Sequence, residues 1–100
     1  MTNLLYLALE YDINSGIPKI NSTNIARDKL CDILDAWIAG QMGLGKDESK
    51  TNERDIYHIK IELDLDYDNF RTSADTGNKS LTAGIILDAR NKFAEEKKGL

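Results

Sequence analysis

The chain alternates from its first residues. Leu5, Leu7, Leu9, Tyr11 and Ile13 hold one set of positions, and Leu4, Tyr6, Ala8, Glu10 and Asp12 the other. A period of two predicts a strand with one continuous apolar face. Its second face starts apolar and turns acidic, so only the first half of that face needs cover. Asn14, Ser15 and Gly16 form a turn cluster, because Gly accepts the positive φ of tight turns. Residues 17–20, Ile-Pro-Lys-Ile, predict a brief return strand. Pro18 has no N–H to give to a ladder, which assigns that strand to a sheet edge.

The period then changes. Residues 21–24, Asn-Ser-Thr-Asn, supply N-cap side chains. After them Ala26, Leu30, Ile33, Leu34, Trp37, Ile38 and Met42 recur at steps of three and four, with Asp28, Asp32 and Asp35 on the other side. That is the stripe of an amphipathic helix. Gly43 followed by Leu44 fits a helix C-terminus. Residues 43–54 are polar and glycine-bearing and read as a flexible loop.

The clearest pattern follows. Tyr57, Ile59, Ile61, Leu63, Leu65 and Tyr67 alternate with His58, Lys60, Glu62, Asp64, Asp66 and Asp68. A helix would scatter these side chains around its circumference. A strand collects the apolar ones on a buried face and the charges on a wet one. Asp68 and Asn69 suit a tight turn, and residues 70–73 predict a further strand. From Ser80 a second helix is expected, with Leu81, Ile85, Ile86, Ala89 and Phe93 on one face and Arg90, Lys92, Lys97 and Lys98 in its later turns. Gly84 is the weak point of that helix, since the stretch around it also reads as a short strand.

The elements predict an α+β fold over a single domain, residues 1–100. It is a two-layer α/β sandwich: a small, mainly antiparallel sheet with two helices on one face, in the order β-α-β-(β)-α, with an extra short strand after the first. So few strands leave exposed edges, and a homodimer through those edges is one expectation.

Composition adds limits. The 17 acids outnumber the 13 bases, for a net charge of −4. That argues against direct binding to nucleic-acid backbones, which needs clustered Lys and Arg. The single cysteine, Cys31, does not make a disulfide framework, the first residues lack the basic start of a signal peptide, and no apolar run reaches membrane-spanning length. A cytoplasmic protein is expected.

Candidate chemistry is sparse. His58 is the only histidine, so a multi-histidine zinc site is excluded, and no cysteine pair accompanies it. Cys31 lies beside the helix stripe and reads as a packing residue; Trp37 reads as core. The glycines at 40, 43 and 45 lack the GK[ST] of a phosphate loop. Arg90, Lys92, Lys97 and Lys98 are diluted by Glu95 and Glu96. No cofactor is implied, and an enzyme is expected only if His58 works with nearby carboxylates.

Charge patterning carries more. Residues 55–68 hold Asp55, Glu62, Asp64, Asp66 and Asp68 against Lys60 alone. Such a stripe either keeps an open sheet soluble or docks a basic partner. The acidic sheet face, Glu62, Asp64, Asp66 and Asp68, is therefore the candidate binding site of a small protein-interaction module, an adaptor or inhibitor. A sharper version imitates the phosphate track of nucleic acid and blocks a nucleic-acid-handling protein. A third reading is calcium. Residues 64–75 resemble the ligand order of an EF-hand loop, with Asp64, Asp66, Asp68 and Asp75 at its first, third, fifth and twelfth positions. The departures are the short Asp75 in place of Glu, Arg71 where a small apolar residue is usual, and an incoming strand where the motif has a helix.

Overall fold

A computed structural model describes residues 3–41 and 51–98, with the side chains of Gln41 and Lys98 left aside. The elements are β1 (Leu4–Asp12), β2 (Ile17–Thr23), a 3-10 turn (Arg27–Lys29), α1 (Leu30–Gln41), β3 (Ile56–Asp64), β4 (Asn69–Ala74) and α2 (Lys79–Lys98). The strands form one antiparallel sheet in the order β2-β1-β3-β4. The two helices cover one of its faces, so the expected α+β two-layer arrangement holds, and the extra strand after the first and the bracketed strand are both formed.

Each hairpin turns where a residue takes positive φ. Gly16 (φ 67°) closes β1–β2, and its N–H donates to the Asp12 carbonyl at 2.8 Å. Asp68 (φ 50°) closes β3–β4, and the Asp66 N–H donates to Asp64 Oδ1 at 3.0 Å. Asp tolerates this conformation better than most residues because its short side chain bonds locally. The start of α2 is set by Asn78, whose Oδ1 accepts the Leu81 N–H at 2.9 Å. This satisfies one of the amides a helix leaves without a partner.

The alternation in β1 and β3 places the core. Leu7 and Leu9 meet Tyr57, Ile59, Ile61 and Leu63 across the central strand pair, and all six are buried. Leu30, Leu34 and Trp37 of α1 and Ile85, Ile86, Ala89 and Phe93 of α2 pack onto them. A fully buried Leu or Ile contributes about 2 kcal/mol. Polar contacts orient the helices on the sheet. Trp37 Nε1 donates to Thr72 Oγ1 at 2.8 Å, fastening α1 to β4. Lys92 Nζ donates to the Pro18 carbonyl at 2.9 Å, fastening α2 to β2. Arg90 reaches Asp35 at 2.7 Å and joins the helices.

Three expectations are corrected, and the second helix forms across its weak point. The strand predicted through Tyr67 stops at Asp64, and residues 65–68 form the turn. Asp64 is paired with Leu4, the first residue of β1, and with Asn69, the first of β4, so the chain turns directly past it, and among the described residues the Leu65 N–H still reaches the Asn3 carbonyl at 2.9 Å. The return strand runs to Thr23, so most of the residues taken as helix caps lie in β2. Ala26 is exposed and precedes a 3-10 turn, because Thr23 Oγ1 takes the Ile25 N–H and holds the chain extended there. Gly84 sits exposed inside a continuous α2. Pro18 does lie on an edge strand. The expected helix stop at Gly43 and Leu44, and residues 43–50 of the expected loop, fall outside the described residues. No helix among the described residues is long and apolar enough to cross a membrane.

Candidate functional site

Among the described residues nothing covers the face of the sheet away from the helices. Along β3 it carries His58, Lys60, Glu62 and Asp64, and in register on β1 lie Glu10, Ala8, Tyr6 and Leu4. On β4, Asn69, Arg71 and Ser73 stand beside Asp64, Glu62 and Lys60. The stripe that reads as mainly acidic along one strand is therefore more mixed across the sheet, with Arg71 facing Glu62. Lys60 lies over the Tyr6 ring, 5.8 Å from its centre.

The two ends of this face differ. At one end a chain of charges crosses all four strands. Lys19 Nζ on β2 is 3.0 Å from Glu10 Oε2 on β1, and Glu10 Oε1 is 3.5 Å from His58 Nε2 on β3. His58 Nδ1 is 3.1 Å from Asp75 Oδ2, just past β4. Asp75 Oδ1 also accepts the His58 backbone N–H at 2.7 Å, and Arg54 stands 3.8 Å from its other oxygen. The Lys19 hydrogen bond holds Glu10 below the usual carboxylate range, against a small desolvation penalty, helped by Asn21 and by the charges of Lys19 and His58. Partial burial pushes Asp75 up. The backbone and ring of His58 and the Arg54 charge outweigh that burial and leave Asp75 below its ordinary value. Both ring nitrogens of His58 thus face carboxylates, and the imidazole stitches strands together. Beside it Ala8 and Ser73 are small, leaving an open depression of about 340 Å³ rimmed by Asn21, His58, Lys60 and Asp75.

At the other end Arg71 stands beside Glu62 in register, but the acids form no ion pairs. Glu62 and Asp64 close β3, and Asp66 and Asp68 lie in the turn. None of the four makes an ion pair among the described residues. Between the aspartates the turn presents Tyr67, 80% exposed, and Leu65, 49% exposed. No family model matches the chain, and neither a curated protein nor a solved structure matches it.

The calcium arrangement is not formed. Asp64 and Asp75 flank the β4 strand at opposite ends, roughly 20 Å apart at the rise of a strand. Among the described residues no three His, Cys, Asp or Glu side chains gather as metal ligands would. The loop reading fails because residues 69–74 form an extended strand instead of curling around an ion.

The remaining candidates are dispersed. Cys31 is buried in the helical layer, with its thiol toward the Arg90 carbonyl at 3.8 Å, and Trp37 is core as expected. Lys97 reaches the Asp28 carbonyl at 3.4 Å and Glu96 pairs with Arg27 at 2.8 Å, so Arg90, Lys92 and Lys97 serve separate contacts. The residues missed from sequence are Glu10, Lys19 and Arg54, and the pairing of His58 with Asp75. The signal for that pair lay in the hairpin: once residues 65–68 are the turn, counting outward one residue at a time on each side brings position 58 opposite 75.

Proposed function

We propose that this protein acts by binding, and that it docks a basic protein surface onto the β3–β4 turn and the adjoining end of the open sheet face. The observation that carries this reading is the exposure of Tyr67 and Leu65 among Asp64, Asp66 and Asp68, three aspartates with no cation of their own among the described residues. An exposed aromatic side chain gives contact area at low entropic cost, and surrounding charges steer a partner of opposite sign. A cytosolic setting accompanies the reading, in keeping with the free thiol of Cys31. The acids bend around a turn, with only Glu62 and Asp64 on the strand itself. This favours a compact docking knob over a long imitation of a phosphate track.

The test is affinity capture with the intact chain, followed by titration of the partner it recovers. Tyr67→Ser is expected to weaken binding by about tenfold, and Asp64→Asn, Asp66→Asn and Asp68→Asn combined to abolish it, with circular dichroism unchanged. Raising salt should slow association. A partner that binds both variants as tightly as the unaltered chain would refute the reading.

A further inference from the structure

The two edges of the sheet are not alike. On β2, Pro18 offers no N–H, its carbonyl is already taken by Lys92, and a bulge near Ala8 and Leu9 breaks the register. These are the devices that keep an edge strand from pairing with another chain. On β4 every residue but Phe70 is exposed, and among the described residues nothing bonds to its outer backbone groups.

Which groups face outward follows from one bond. The Asp75 N–H donates to the His58 carbonyl at 3.2 Å, so Asp75 sits in a hydrogen-bonded pair with β3. Pairs alternate in antiparallel ladders, so Ser73, Arg71 and Asn69 also turn their backbone groups toward β3. Phe70, Thr72 and Ala74 therefore point their N–H and C=O groups away from the sheet.

We propose that two copies of this chain join β4 to β4 in antiparallel fashion about a two-fold axis at Thr72, making one continuous sheet. In that register Thr72 meets the partner's Thr72, and Phe70 meets the partner's Ala74, giving about six N–H···O bonds. All the outward groups are used. On the open face Arg71 stands opposite the partner's Ser73, and Asn69 opposite the partner's Asp75, so no like charges meet. Arg71, which has no ion pair among the described residues, comes within a diagonal step of the partner's Asp75.

Neighbouring registers are poorer. Moving the axis to Arg71 sets Arg71 against the partner's Arg71 and loses bonds. Moving it to Ser73 pairs Phe70 with the partner's Thr76, and the Thr76 carbonyl already accepts the Asn52 N–H at 2.7 Å. The occupant of this edge is thus a second copy, and the surface is distinct from the acidic turn.

Sedimentation equilibrium on the full chain from micromolar to millimolar concentration tests this. The expected result is a monomer–dimer equilibrium with a dissociation constant on the order of 100 µM, as suits a short strand interface. Ala74→Pro removes an outward N–H without touching the β3 ladder and should leave a monomer with an unchanged far-ultraviolet spectrum. Ser73→Arg places like charges opposite each other and should weaken the dimer about tenfold. Ser73→Glu faces the partner's Arg71 and should tighten it about threefold. A chain that stays monomeric at millimolar concentration overturns the proposal. So does a dimer indifferent to Ala74→Pro and Ser73→Arg, or one that Ser73→Glu weakens.

Discussion

The two ends of the open sheet face use the same side chains to opposite purposes. At the His58 end, the carboxylates of Glu10 and Asp75 are spent inside the molecule on Lys19, His58 and Arg54. At the turn, Glu62, Asp64, Asp66 and Asp68 face solvent without cations among the described residues, beside an exposed Tyr67. Acids that hold strands together are poor candidates for docking, because a partner would have to displace their bonds. Acids that repel one another and form no ion pair can receive a partner at a lower cost, since among the described residues only the turn bond of Asp64 and the Asn3 contact of Asp66 engage them. The number of carboxylates at each end therefore says less than what they already touch.

The largest test of this contrast is Asp75→Ala. It removes the acceptor of the His58 backbone N–H and the partner of the His58 ring and Arg54, and should cost about 2 kcal/mol. Thermal unfolding should show it as a fall of roughly 10 °C in Tm. A cost near zero would erase the distinction between the ends.

Acid titration probes the same end more gently. Glu10 and Asp75 are both lowered in the folded chain. Groups of that kind stabilise fully above their unfolded values, about 4.3 for Glu and 3.9 for Asp, and lose that contribution as pH falls through the lower folded values. Stability should therefore drop below about pH 4. The Glu10→Gln, Asp75→Asn double variant should start less stable at pH 7 and lose less on the way down, as followed by denaturant midpoints.

The smallest effect on folding belongs to the turn. Asp64→Asn, Asp66→Asn and Asp68→Asn combined should change stability by less than about 0.5 kcal/mol, with a slight gain as repulsion is relieved. A marked loss in thermal melts would mean that these carboxylates are structural after all.

Much of the fold was legible because β1 and β3 alternate and both helices carry clean apolar stripes. Leu7, Leu9, Ile59, Ile61, Leu34 and Phe93 are buried as their spacing implies. The errors came where alternation outlived the strand. Leu65 and Tyr67 keep the period of two but lie in the turn, since hydrophobic period records side chains and not whether a neighbouring strand is there to pair. The open face was read along β3 alone, which made it look acidic. Its mixed character arises from Arg71 and Lys19 on other strands, and their register depends on long-range pairing that no local pattern encodes. The His58–Asp75 pair was within reach of hairpin counting, whereas Glu10 was not, because β1 and β3 are joined through a helix and a long connection.

That same connection bears on how the chain comes into being. The central partners of the sheet, Leu4–Asp12 and Ile56–Asp64, are separated by more than forty residues. During synthesis the first hairpin emerges with Leu7 and Leu9 bare and must wait for the second to arrive, and such distant pairings assemble slowly. A nascent chain halted before Ile56 would present a sticky, half-built sheet.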